Sequence, residues 1–194
     1  YSYSQLSMLN RTRPKIFKDI IHVTQINELT AKGFWAPVEV EIEPFNPLGL
    51  ILNSTGSEYT ESSLKEVVKN NNVNNRIYKK IKSLVSEGTS SILVFLDSVE
   101  NCYIMKNALG DYAEVIEANT NKKDREKYIT RFKNKELKVI LNVNTLTVGF
   151  DYPELQVVIM GRPTNSLAVF YQIYGRLVRP FEGKIGRFFD YGGN

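Results

Sequence analysis

The stretch QIYGRLVRP, Gln172–Pro180, places a glutamine and two arginines at helical spacing with Gly175 among them. Residues three and four apart on a helix are neighbours, so Gln172, Arg176 and Arg179 are expected on one face of a single helix. Gly175 weakens a helix by about 1 kcal/mol relative to alanine and allows a close neighbour over that face. Two planar guanidinium forks beside an amide match the donors that phosphoryl transfer needs, because charge spread over the moving group is stabilised in the transition state. An arginine in that role contributes roughly 10³–10⁵ in rate. A basic helix end that complements the helix dipole accounts for the same residues, and the helix alone leaves both readings open.

A second chemistry-bearing stretch is NVNTLTVGFDYP, residues 142–153. It follows an apolar run and is rich in small polar side chains. Gly149 lets the backbone come close to a ligand. Asp151 has the acceptors for sugar hydroxyls, and Asn144, Thr145 and Thr147 have donors for phosphate oxygens. An ordinary loop in which Asp151 caps a turn before Pro153 is the plain alternative.

The elements that must carry these stretches follow an alternating rhythm. The apolar runs SILVFL (91–96), EVIEA (114–118), LKVILNV (137–143) and LQVVIM (155–160) are expected as buried strands, and GRFFDYGG (186–193) opens as another. Helices are expected between them. Ser98 reads as an N-cap, followed by Val99, Cys102, Met105 and Leu109 at helical spacing and by Gly110 as a stop. Residues 121–134 read as a helix with Tyr128, Ile129 and Phe132 inward, and 166–179 as the helix bearing the arginines. Strands alternating with helices imply a parallel α/β sheet covered on both faces. In such sheets ligands sit at the carboxyl ends of the strands, where FLDSVEN, NVNTLTVGFDYP and RPTNS are expected to fall.

The first ninety residues are less regular. An extended stretch, Val38–Glu43, is closed by Pro44 and Pro47, and NSTGSEYTESS (53–63) reads as a linker or surface loop. Ser63 with Glu66 fits a capping box, and Ile77, Ile81, Leu84 and Val85 supply an apolar helix face after an asparagine-rich break.

Composition bounds the rest. Of 194 residues, 42% are hydrophobic and 24% charged, which describes a soluble globular protein. No apolar run reaches the roughly 18 residues needed to span a bilayer. No signal peptide is visible, and the single cysteine, Cys102, fits a cytoplasmic setting. A single cysteine excludes an internal disulfide and a cysteine-based metal site, and no metal site is expected. The net charge of +4 is compatible with a nucleic-acid partner without requiring one. The chain lacks an initiator methionine and is expected to be a piece of something longer.

Taken together and in this order, these stretches resemble the second, C-terminal RecA-like domain of superfamily 2 helicases and translocases. The likeness is to DEAD/DEAH-type ATPases related to restriction-enzyme motor subunits. NVNTLTVGFDYPEL resembles their motif V, and RPTNSLAVFYQIYGRLVRP their motif VI, Q-x-x-G-R-x-x-R. SILVFLDSVENCYIMKNAL resembles motif IV, and ANTNKKDREKYITRF a family helix with an internal arginine, here Arg125. FFDYGGN resembles a following Asp-His-Ala-Gly-Asn, with Tyr191 where histidine is common. The likeness covers residues 90–194 and extends more loosely over 14–37.

The resemblance implies a RecA-like fold over 61–194, with 1–60 a connecting segment and small N-terminal appendage after a first motor domain. It implies that Arg179 is an arginine finger, that Arg176 also reaches the γ-phosphate, and that Gln172 organises that contact. Gly149 and Asp151 would touch nucleotide, Asp151 through the ribose. Asn142, Asn144, Thr145 and Thr147 would link nucleotide state to the nucleic-acid strand, and Ser98, at a helix start, would hold a backbone phosphate. ATP with Mg²⁺ is implied, bound mainly by the first RecA-like domain. The implied partners are that domain and DNA, with RNA not excluded, and no membrane. The sequence departs from the family at Val148, where Glu or Arg is common, and at Leu177 and Val178, which are more apolar than usual.

No G-x-x-x-x-G-K-[ST] phosphate loop and no Asp-Glu pair followed by Ala/Cys-His occur in the sequence. Half of an ATPase site is therefore expected here, silent by itself. The alternative is a non-catalytic RecA-like module that binds nucleic acid or protein. An unrelated doubly wound enzyme would need a glycine fingerprint after the first strand, which LDSVEN does not supply. His22 and Cys102 read as core residues, Trp35 as a packing aromatic, and Lys122, Lys123, Arg125 and Lys127 as a solvated face.

Overall fold

The computed structural model describes residues 26–143 and 150–194. The chain divides into two compact units, Tyr1–Trp35 and Ala36–Asn194. Among its described residues the first unit holds one short helix, α1 (Ile26–Ala31), closed by Gly33 at a φ of +73°. His22 lies outside the described residues.

The second unit is built on six parallel strands: β1 (Val38–Ile42), β2 (Ile92–Phe95), β3 (Ala113–Ile116), β4 (Val139–Asn142), β5 (Val157–Met160) and β6 (Gly186–Asp190). Their order across the sheet is β1-β6-β5-β2-β4-β3. The helices are α2 (Glu61–Asn70), α3 (Val73–Ser86), α4 (Val99–Leu109), α5 (Lys122–Lys133) and α6 (Leu167–Tyr174). The four central strands are too apolar to alternate with solvent, and both faces are indeed covered. On one face Val68, Ile77, Ile81, Leu84, Cys102 and Met105 from α2, α3 and α4 pack on Ile92, Val94, Val139, Val157 and Ile159. On the other, Phe132 of α5 and Ile173 of α6 pack on Leu93, Phe95, Ile140, Val158 and Phe188. This is the RecA-like α/β architecture expected from the sequence.

The segment between the two expected domains has its own structure. The extended stretch read within the connecting segment 1–60 is β1 itself, an edge strand of the sheet in register with β6 from Val38↔Gly186 to Ile42↔Asp190. Residues 36–60 thus belong to the same compact unit as the remaining strands.

Caps decide where most helices start. Ser98 caps α4 by accepting from the Asn101 N–H at 3.3 Å, as its position predicts. Asn121 does the same for α5 through the Asp124 N–H at 2.9 Å. The expected Ser63 capping box does not form. Thr60 is the N-cap of α2, accepting from the Ser63 N–H, while the buried Ser63 hydroxyl turns to the Ile51 carbonyl. Asn72, at a φ of +51°, breaks the chain between α2 and α3, where the left-handed backbone is tolerated by asparagine. Cys102 is buried, and that burial pushes its thiol up to about 12, so it is an inert core residue. No helix among the described residues is long and apolar enough to cross a membrane.

Candidate functional site

The arginines do not sit on one continuous helix. The sequence spacing predicts a helix through Arg179, but α6 ends at Tyr174. The next bonds, Arg176 N–H to the Ile173 carbonyl and Leu177 N–H to the Tyr174 carbonyl, span three residues and tighten the backbone into a turn. Tertiary anchors cause this. Leu177 and Val178, the two apolar residues between the arginines, are buried. Leu177 fills the space over Gly186, where an added Cβ would come within 2.6 Å of its Cγ. The Val178 carbonyl accepts from the Ala36 N–H at 2.9 Å at the entry to β1. A straight helix could not deliver both residues to the sheet. Gly175 belongs to the same turn, since a Cβ there would lie 2.8 Å from the Tyr171 carbonyl oxygen.

The loop before β5 meets this turn. Phe150 and Tyr152 are buried and pack with Phe132 in three edge or tilted ring contacts between 5.6 and 6.4 Å. With both aromatic neighbours held inward, Asp151 is turned out and is 68% exposed. Its Oδ1 lies 3.3 Å from the Nε of Arg179, itself 54% exposed. Arg176 donates from Nη1 to the Phe150 carbonyl at 2.6 Å. Burial holds the Arg176 guanidinium below its ordinary range, the charge of Arg179 adds to the effect, and Asp151 opposes it. Two arginines from one turn and an aspartate from another thus share a small surface. Gln172 is exposed on α6.

These residues precede β5 and β6, so they gather near the amino ends of those strands. The other expected group stands at the carboxyl ends. Ser98 follows β2 and is nearly buried as the α4 cap. Asn142 ends β4, is 0% exposed, and its amide donates to the Val94 carbonyl at 2.9 Å. Its side chain is therefore engaged in the sheet rather than presented to solvent. The RPTN loop leading into α6 lies at this end too. FLDSVEN and RPTNS follow β2 and β5 as expected, whereas the end of NVNTLTVGFDYP, at Asp151, leads into β5; the arginine helix runs back along the sheet, and its far end carries the pair. Asn144, Thr145, Thr147 and Gly149 lie outside the described residues.

Sequence reasoning passed over a polar cluster at the carboxyl end. Arg162, two residues after the end of β5, is buried, and burial lowers its basicity against the opposing charges of Glu58, Asp97 and Glu61. Its Nη2 lies 3.8 Å from the Glu58 carboxylate. Glu58 also accepts from the Thr164 hydroxyl and from the Asn165 N–H. Asp97 accepts from both Asn101, at 2.8 Å, and Asn74, at 3.4 Å. The DYGGN end closes over this cluster: Asp190 accepts from the Gly192 and Asn194 N–H groups, and Asn194 accepts from the Thr164 N–H. The available signal was an arginine placed two residues beyond a fully apolar strand, where burial forces it to find an acid. Arg125 donates to the Glu117 carbonyl at 3.1 Å, and Lys122 is exposed at the start of α5 with only a distant Glu126 beside it.

Comparison with known proteins places the chain in a family. The family model described as the helicase conserved C-terminal domain matches residues 75–180, which include the α6 turn and both arginines. The chain belongs to that family. As a helicase C-terminal domain it has relatives and fold neighbours of the same kind. IRC3 of Saccharomyces cerevisiae, named as a candidate ATP-dependent helicase, is 25% identical over 137 residues, 69% of this chain and 20% of that protein. The Schizosaccharomyces pombe irc3, named as a candidate mitochondrial ATP-dependent helicase, is 38% identical over 98 residues, 49% of this chain and 16% of that protein. The helicase C-terminal domain therefore spans a fifth or less of these relatives. A fragment of a candidate HsdR subunit of a type I restriction enzyme from Vibrio vulnificus shares the fold, with a TM-score of 0.67 at 22% identity over 86% of this chain and 34% of that one.

Proposed function

We propose that this chain is the C-terminal motor domain of an ATP-dependent DNA helicase or translocase, and that it supplies the arginine fingers of an ATPase site completed by a preceding RecA-like domain. Arg179 is the finger, Arg176 reaches the same phosphate, Gln172 organises them, and Asp151 with Gly149 meets the nucleotide. The observation that carries this reading is the anchored turn that holds Arg176 and Arg179 beside an outward Asp151. Arg179 stands more than half exposed on an apolar footing, while Arg176 is partly buried behind it against the Phe150 carbonyl. The names of the yeast relatives support ATP dependence. Mg²⁺ would arrive with the nucleotide and be held mainly by the partner domain.

On this reading nucleic acid meets the opposite end of the sheet. The α4 start at Ser98 offers free amides to a backbone phosphate, the 144–147 segment adds contacts, and Asn142 supports that segment from within the sheet. A neighbour sharing the fold at a TM-score of 0.54 and 18% identity was solved with DNA and AMPPNP. Contacts to phosphates make binding salt-sensitive and largely independent of sequence. DNA is the proposed strand, and RNA is the alternative that competition between the two would identify. Closure of the two domains on ATP would deliver the arginines, and opening after hydrolysis would release them.

The test is ATP turnover by this chain alone and by the full-length protein in the presence of DNA. Turnover by the full-length protein with none above background from the chain supports a site shared between two domains. Comparable turnover by the chain alone would overturn it, and no turnover by either would favour a non-catalytic binding module.

A further inference from the structure

Lys184 is placed where a lysine needs a reason. It lies in the turn between Val178 and β6, a turn reversed by Gly183 at a φ of +68° and closed by the Lys184 N–H on the Phe181 carbonyl at 3.1 Å. Its ammonium is half-buried, and burial pushes its pKa down to about 8. No ion pair among the described residues involves it. Glu154, on the neighbouring loop, pairs with Lys135 at 3.0 Å instead. The ammonium donates to two backbone carbonyls, that of Pro153 at 2.8 Å and that of Arg179 at 3.0 Å. The first lies two residues beyond Asp151, and the second is the carbonyl of the finger residue itself.

We propose that Lys184 is a positioning residue for Arg179: its ammonium ties the turn that carries the finger to the loop that carries Asp151, and so sets where the guanidinium stands before the partner domain closes. The inference rests on the function proposed above and assigns the device that fixes its geometry. Desolvating an ammonium is unfavourable unless its protons are used, and here they join two segments that are otherwise far apart in the chain. The Arg179 side chain is more than half exposed, so packing does little to fix it. Its backbone has two tethers, the buried Val178 before it and Lys184 behind its carbonyl. Without the second, the residue can swing, and a misplacement of about 1 Å in a catalytic group costs on the order of a hundredfold in rate.

The experiment compares the full-length wild type with Arg179→Ala, Lys184→Met, Lys184→Arg and the Arg179→Ala/Lys184→Met double variant, in DNA-stimulated ATP turnover and in hydrogen exchange of the 176–179 amides. Lys184→Met is expected to lower kcat by roughly ten- to a hundredfold with KM for ATP little changed. Lys184→Arg, which keeps donors in reach, is expected to recover most of the loss. In the double variant the two losses should not multiply, because a tether for a missing finger has nothing to position. Exchange of 176–179 should speed up in Lys184→Met in either background. Multiplying losses, or unchanged exchange, overturn the inference. Full turnover by Arg179→Ala overturns the proposed function instead, and the tether is then judged by exchange alone: faster exchange sustains it and unchanged exchange removes it.

Discussion

Arg179 Nε and Asp151 Oδ1 stand 3.3 Å apart, brought together from two loops whose flanking residues, Phe150, Tyr152, Leu177 and Val178, are all buried. The core thus builds a surface pair whose members hold each other only lightly. Exposed pairs of this kind contribute about 0–1 kcal/mol. On the proposed function, an arginine that leaves its resting partner for a phosphate gains from a weak one.

Asp151→Ala should therefore leave stability nearly unchanged, within about 1 kcal/mol by thermal or urea unfolding of this chain. In the full-length protein it should raise KM for ATP by about tenfold, the loss of one charge-assisted hydrogen bond of about 1.5 kcal/mol. A large loss of stability with KM unchanged would make Asp151 a structural cap.

Leu177→Ala should behave in the opposite way. Leu177 is fully buried over Gly186, and its truncation should cost about 2–5 kcal/mol in urea unfolding. Lys123→Ala, on the exposed side of α5, should stay within about 0.5 kcal/mol. If Leu177→Ala were equally mild, the anchored turn would not be what holds the arginines in place.

Ser98→Ala tests the other end of the sheet. Loss of the α4 cap should cost about 0.5–2 kcal/mol of stability. In the full-length protein it should weaken binding to single-stranded DNA while leaving the slope of log affinity against log salt unchanged, because no cation is removed. Unaltered affinity would remove Ser98 from the strand-binding surface.

Much of this was legible in the sequence because its signals are local. The apolar runs became β2 to β6, Ser98 capped its helix as its place before Val99 implies, and the asparagine break separated α2 from α3. What was hidden depends on distant partners. Continuous helical spacing through Arg179 gives no hint that Gly186 and Ala36 pull Leu177 and Val178 out of the helix. The alternating VEVEI of β1 looks like a solvated stretch, and only β6 makes it an edge strand. Thr60 displaced Ser63 as a cap because the Ser63 hydroxyl had a better use on Ile51. Arg162 and Glu58 meet across a long stretch of chain that no short pattern spans.

The most direct test of the central claim is single-turnover and steady-state ATP hydrolysis by the full-length protein carrying Arg179→Ala, with nucleotide affinity measured in parallel. An arginine finger acts on the transition state, so ATP binding should stay nearly intact while turnover falls at least a hundredfold, on the order of 3 kcal/mol of lost transition-state stabilisation. Turnover equal to that of the wild type would contradict the assignment of Arg179 and, with it, the reading of this domain as half of an ATPase.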